Sequence, residues 1–258
     1  MQQEEQKPSV TMLDHIDDLR FVLLRCFFAL IVGCVIVAAF FPYFADFLNY
    51  PLRKALGSNQ DLIQGLVTTS PMGVFSVLFQ VCFLGGLAIA FPYMLYCAAT
   101  FVLPGLNEKE RGLLVPGCLA VFVLFVTGAL FSYYLVLPTS LAVSIEFNQM
   151  FGFQLIWSAP EYYGLVVWMT LGIGFCFEFP LAIILLVYLD LITVAKLASL
   201  RRHMVVVVLV VSAIITPGGD PLTLAILAVP MYFLYEMALW VGKRIEVRRL
   251  RTAEAPGV

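Results

Sequence analysis

Charge is what this chain has least of. Only 12% of its 258 residues are Asp, Glu, Lys or Arg, while 62% are hydrophobic; soluble domains carry roughly 25% charged residues. Together with a mean hydropathy of +0.96, this excludes one water-soluble core, because a globule must still cover its surface with polar atoms. Histidine is nearly missing: His15 and His203 are the two present, too far apart to form a motif. The six cysteines (Cys26, Cys34, Cys82, Cys97, Cys118 and Cys176) lie inside apolar runs, and no CxxC pair occurs. They read as small buried side chains, not as disulfides or metal ligands. There is no P-loop pattern, so no ATP site is expected. No clustered His, Cys or Asp pair suggests a membrane-embedded enzyme. Residues 1–20 are polar and acidic without a cleavable signal pattern. No cofactor, metal or nucleic acid is expected.

Long apolar runs are what the chain has instead. In lipid every backbone N–H and C=O must be paired internally, so only helices or closed barrels span. The runs are continuous, not alternating, so helices are expected. The gaps between ionisable residues give six segments: 21–41, 71–101, 112–137, 161–189, 203–216 and 222–241. Ser70-Pro71 reads as an N-cap followed by proline at the first helical position. Pro92 should kink the second segment and Pro138 should close the third. The fifth is apolar only from Met204 to Ile215, about 18 Å of helix, too short for a normal bilayer. Its return through Thr216-Pro217-Gly218-Gly219-Asp220 places a tight turn below the membrane surface, which implies local thinning or cover from a partner. The loop from Pro42 to Thr69 has room for a short interfacial helix around Phe44–Leu56.

Basic residues set the orientation. Lys7, Arg20 and Arg25 flank the first segment. Lys109 and Arg111 follow the second; Lys196, Arg201 and Arg202 follow the fourth. Lys243, Arg244, Arg248, Arg249 and Arg251 fill the tail, 242–258. Of the fifteen Lys and Arg, only Arg53 and Lys54 fall on the other side. Six spans then leave both termini in the cytoplasm. No internal repeat relates the halves, which disfavours an inverted-repeat transporter, and no low-complexity linker divides the chain, so 1–258 reads as one domain.

A few acids stand among these basic residues. In Thr11-Met12-Leu13-Asp14-His15-Ile16-Asp17-Asp18-Leu19-Arg20, Thr11 and Asp14 make a capping-box-like start, and Met12, Ile16, Leu19 and Leu23 form an apolar stripe at helical spacing. An interfacial amphipathic helix accounts for this pattern, yet acids are unusual at an anionic surface that normally attracts basic residues. Glu108 and Glu110 lie in the first loop of the same face, which also reads as a solvated turn and helix start. Glu178 is mid-span, where a carboxyl group costs about 2.5–3.5 kcal/mol on insertion scales; it is either a functional acid or a buried acid bonded to a neighbouring helix. Pro180 beside it cannot donate to the carbonyl of Cys176. Asp220 reads as a turn former or a contact residue. Glu236 can snorkel or pair with a basic tail residue.

Five short motifs, in order over roughly residues 12–240, resemble the TatC family, the multi-span core of the twin-arginine protein translocase. His15-Ile16-Asp17-Asp18-Leu19-Arg20 is similar to the family's His-Leu-x-Glu-Leu-Arg. Phe101, Pro104, Leu106, Glu110 and Arg111 match its first cytoplasmic loop. Phe177-Glu178-Phe179-Pro180 is similar to its Phe-Glu-x-Pro. Thr216-Pro217 with Asp220, and Ala228 to Tyr232 with Tyr235-Glu236, match its end. The chain departs from the family at Asp18, where Glu is usual, and at Leu224, where Gln is frequent.

The resemblance implies an all-α, six-span concave bundle in the bacterial inner membrane, with two short final helices. It implies a non-enzymatic receptor and channel-core subunit that binds twin-arginine signal peptides on the cytoplasmic face. Folded proteins would cross with TatA- and TatB-type single-span partners, driven by the proton-motive force, and several copies of the chain would assemble. Asp18 and Glu110 are the implied guanidinium acceptors. Asp17 is a second acceptor beside Asp18, and Arg20, Phe101, Pro104 and Glu108 belong to the same region. Glu178 and Pro180, with Asp220 and Glu236, are the implied intramembrane contacts. A proton-coupled small-molecule transporter using Glu178 is the alternative.

Overall fold

The computed structural model describes residues 12–57, 66–102, 108–188, 191–216, 218 and 220–254, with side chains 12–16, 102, 108–111, 113 and 248–254 left aside. Among them the structure is helical, apart from an isolated bridge between Val67 and Ser158. Eleven helices follow in order: α1 (Met12–Ala39), α2 (Phe41–Leu48), α3 (Tyr50–Leu56), α4 (Gly73–Val102), α5 (Glu108–Phe131), α6 (Leu137–Met150), α7 (Ala159–Phe177), α8 (Phe179–Tyr188), α9 (Val194–Ser199), α10 (Arg201–Ile215) and α11 (Pro221–Glu254). Five stretches are long and apolar enough to cross a membrane: Asp17–Ala39, Gly73–Phe101, Leu114–Met150, Ala159–Tyr188 and Pro221–Val247. The helix α10, at 15 residues, is not, as its short apolar run implied.

Small residues set the helix crossings, as close backbone approach in lipid requires. A Cβ on Gly33 of α1 would lie 2.5 Å from the carbonyl oxygen of Gly86 on α4, and one on Gly86 would lie 2.7 Å from the Cys34 nitrogen. On α5, a Cβ at Gly128 would meet the Phe177 ring at 2.8 Å; on α7, one at Gly174 would meet Phe125 at 2.9 Å. Val37, Val81, Val166, Met169 and Ile173 fill the core between these crossings.

Three segment boundaries differ from expectation. Ser70-Pro71 forms a turn whose Ser70 carbonyl accepts the Gly73 N–H at 3.0 Å, so α4 begins at Gly73. Pro138 does not close the third segment at 137. A π turn, Ser132–Val136, links α5 to α6, and the helix continues to Met150. Proline removes one hydrogen bond, to the carbonyl four residues earlier, which is Tyr134. That carbonyl accepts Lys54 Nζ at 2.9 Å instead, so the chain need not stop. At the other end of the sequence, α11 runs on through the basic tail to Glu254, with the Arg244 guanidinium 3.5 Å over the Trp240 ring.

The segment 161–189, expected as one span, is broken into α7 and α8 at Glu178, whose N–H turns to the Phe175 carbonyl at 3.1 Å. The expected interfacial helix is two helices, α2 and α3. They form a cap over one end of the bundle, here the cap end. The opposite end, which carries the start of α1, is the charged end. Ile215, the last residue of α10, packs on Gly172 of α7 at 3.5 Å from a Cβ built there. Gly172 is ten residues, about 15 Å, from Tyr162, which touches the cap. α10 therefore ends about 15 Å short of Tyr162 along α7.

Candidate functional site

The charged end is assembled by α1 lying antiparallel on α4. The Cys26 thiol of α1 meets Cys97 of α4, and Arg25 lies near Tyr93. Phe101, one turn beyond Cys97, is half-buried there. Asp17 and Asp18 lie in the second turn of α1, two turns before Arg25, about 10 Å further out. Both acids and Arg20 are exposed. Neither acid is in an ion pair with a described side chain.

The start of α5 reaches the same end. Phe91 of α4 stacks on Phe125 of α5 at 4.2 Å and on Phe122 at 6.3 Å. From that level, Phe101 lies about 15 Å along α4 and Glu110 about 18 Å back along α5, in the same direction. Glu108 and Glu110 occupy the first turn of α5, where a carboxylate also complements the helix dipole. Their side chains and Pro104 lie outside the described residues.

Glu178 sits apart from this end, at the α7–α8 break beside the Gly128–Gly174 crossing. It is half-buried, and its Oε1 has no hydrogen-bond partner among the described residues. Its carboxyl approaches the Phe125 backbone, and Pro180 is buried next to it. A carboxyl oxygen without a partner in apolar surroundings costs more than one that is bonded.

The other two acids have partners. Asp220 Oδ2 accepts the Thr223 N–H at 2.7 Å, and Pro221 opens α11, an N-cap with proline at the first helical position. Among the described side chains the partner of Glu236 is not a tail residue: its Oε2 meets Arg201 at 3.0 Å, from the start of α10, and its Oε1 accepts the Tyr232 hydroxyl at 3.1 Å. The neighbouring Tyr235 hydroxyl donates to the Leu197 carbonyl of α9 at 2.7 Å.

Sequence reasoning missed the residues that hold the cap. The Tyr162 hydroxyl donates to the Leu48 carbonyl at 2.6 Å, Tyr163 to Asn49 Oδ1 at 3.0 Å, and Tyr133 to the Phe47 carbonyl. Phe47 is four residues before Pro51, so its carbonyl lacks the usual i+4 donor, although a backbone N–H at the end of α2 also meets it. The signal was available in part: each proline removes the i+4 donor of one carbonyl. The side-chain donor, 80 or more residues away, was not visible.

A helical chain with several membrane-length apolar spans, an acid-bearing charged end and a buried mid-span carboxyl is a polytopic membrane protein of the transport or receptor class. The chain belongs to the TatC family: the family model "Sec-independent protein translocase protein (TatC)" matches residues 14–230. The TatC protein of Koribacter versatilis is 29% identical over 248 residues, covering 96% of this chain and 90% of the relative. That of Desulforapulum autotrophicum is 33% identical over 245 residues, covering 95% and 87%. A crystal structure of the twin-arginine translocase receptor TatC superposes with a TM-score of 0.73 at 30% identity, over 90% of this chain and 99% of that one. The chain is thus a protein-translocase component, a family with no known enzymatic activity, and the small-molecule transporter reading is not favoured.

Proposed function

We propose that this chain is the signal-peptide receptor and core subunit of a twin-arginine translocase in a bacterial inner membrane. It exports folded proteins with TatA- and TatB-type partners, using the proton-motive force. It crosses the membrane six times as one domain, α10 being the short fifth span, and both termini are cytoplasmic, as the basic residues favour. Several copies assemble in the complex. Asp18 and Glu110 accept the two signal arginines, with Asp17 as a second acceptor. Arg20, Glu108, Phe101 and Pro104 shape the same surface. A guanidinium forks onto a carboxylate through two parallel hydrogen bonds, whereas an ammonium is a point charge, so a paired-arginine code follows from two acids at one surface. The observation that carries this is the pair of exposed acids at the start of α1 without an ion-pair partner among the described side chains, at the end α5 also enters. Glu178, freed to bond by the Pro180 break, receives a partner helix or the signal helix within the membrane, with Asp220 and Glu236 holding the last two spans in place.

Site-specific photo-crosslinking of a paired-Arg signal peptide, with a paired-Lys peptide as control, tests the reading. Glu110→Ala, or Asp17 and Asp18 changed together to Ala, should reduce the paired-Arg crosslink by about tenfold or more, the effect of losing a charge-assisted bidentate contact. Undiminished crosslinking in these variants would remove the assignment. Glu178→Ala should keep the surface crosslink and lower export; normal export would make Glu178 structural.

A further inference from the structure

A groove of about 440 Å³ runs along the outside of the α1–α4 pair. Its floor is shallow because Ala29 and Gly33 present almost no side chain, and its walls include Ile36 and Ile89. Arg25 and Tyr93 close it at the charged end. From Arg25 to Ile36 is eleven residues, so the groove is about 16 Å long. A narrow apolar groove of this length, open along its side, takes one extended hydrocarbon chain.

The mouth is polar and positive. Arg25 is exposed and forms no ion pair among the described residues. It is about 6 Å inside Phe21, the first apolar residue of its segment, a depth from which a long side chain snorkels to the headgroup level. The Tyr93 hydroxyl, in contact with the Cys97 thiol, lies beside it. The nearest acid on the same face of α1 is Asp18, seven residues and two turns away toward the surface.

We propose that this groove is a binding site for an anionic glycerophospholipid. One acyl chain lies along Ala29, Gly33 and Ile36, and the phosphate takes hydrogen bonds from the Arg25 guanidinium, with the Tyr93 hydroxyl beside it. An unpaired guanidinium within the apolar zone is costly unless an anion meets it, and its planar fork matches a phosphate. In the orientation proposed above the site faces the cytoplasmic leaflet, where anionic headgroups are available. The lipid also covers the gap over the Gly33–Gly86 crossing, where the two backbones touch.

The test uses the full chain in phosphatidylcholine nanodiscs. These contain a trace of phosphatidylglycerol with a photoactivatable acyl chain, or the same probe with a choline headgroup, and labelled peptides are mapped by mass spectrometry. Label should concentrate on residues 25–36 and 89–93. The glycerol headgroup should be preferred by about fivefold, the factor for one basic residue against an anionic lipid. Arg25→Gln should abolish that preference and Arg25→Lys should retain part of it. Ala29→Leu fills the groove without touching the charge, and should cut labelling by both probes while leaving the unfolding temperature unchanged. Equal labelling by the two headgroups, or label spread evenly over the other lipid-facing spans, would show ordinary annular lipid and overturn the proposal. So would capture of a protein helix by a photoreactive side chain placed at residue 29. The readout is independent of signal-peptide binding, so either proposal can fail without the other.

Discussion

The two ends of the bundle use their polar side chains in opposite ways. At the cap end, Tyr133, Tyr162, Tyr163 and Lys54 each donate to a group on another element, and Arg53 holds Asp46 within the cap at 3.0 Å. Two of the four meet carbonyls whose i+4 residue is a proline: Phe47 before Pro51, which a backbone N–H at the end of α2 also meets, and Tyr134 before Pro138. In lipid an unmet carbonyl finds no water, so these donors make the bends tolerable. At the charged end, Asp17, Asp18 and Arg20 stand exposed, and none of them is in an ion pair with a described side chain. The cap end has committed its polar groups to its own backbone. The charged end leaves the acids of α1 without an ion-pair partner among the described side chains.

The contrast predicts that stability and binding separate by end, and Tyr162 is where the effect on stability should be largest. Its side chain is buried and its hydroxyl meets the Leu48 carbonyl. Tyr162→Phe leaves that carbonyl without its donor, at a cost of about 1–3 kcal/mol. Thermal unfolding in detergent should move down by several degrees. Asp18→Asn, at the other end, should leave the unfolding temperature unchanged. If the two variants behave alike, the division between the ends fails.

A smaller effect sharpens the same point at Lys54. Lys54→Met keeps the apolar stem and removes the donor to the Tyr134 carbonyl, at about 0.5–1.5 kcal/mol because the site is partly open to solvent. Pro138→Ala in the same chain restores a backbone N–H four residues after Tyr134. The double variant should therefore recover most of the loss, a clear departure from additivity. Additive losses would mean that Lys54 acts by charge alone and not by replacing the missing donor.

These donors also mark where sequence reading stops. The apolar runs located the five long spans and the shortness of α10, because transfer into lipid depends on composition over about 20 residues. Pro180 marks a missing N–H to the Cys176 carbonyl, yet the fourth segment reads as one span, and its break at Glu178 is seen only in the structure. Pro138 misled for the converse reason: whether a helix survives a proline depends on who meets the freed carbonyl, and here that is Lys54, on α3. The Asp220 cap was readable, since Asp-Pro before an apolar run is itself a start signal. The site was partly readable. Asp18 and Glu110 stood out as acids on a basic face, but a common end for them rests on the Cys26–Cys97 and Phe91–Phe125 contacts between helices, which no spacing in the sequence encodes. Glu236 was expected to snorkel or pair with the tail; its partner among the described side chains is Arg201, because α10 returns beside α11.

That last pair offers the finest test of the comparison. Arg201 and Glu236 form the one ion pair seen at the charged end among the described residues. Arg201 is half-exposed and Glu236 about one-third exposed, so water and salt screen their attraction and two long side chains lose rotamer freedom to hold it. Arg201→Gln should therefore change stability by about 0–1 kcal/mol, less than Tyr162→Phe, and added salt should shrink the difference between variant and parent. Glu236 would keep the Tyr232 hydroxyl, and Tyr235 would keep α9 through the Leu197 carbonyl. A loss as large as that of Tyr162→Phe would show the charged end to be clasped as firmly as the cap. A negligible loss leaves α9, α10 and α11 joined by neutral hydrogen bonds and packing, with the exposed acids of α1 free of any structural duty.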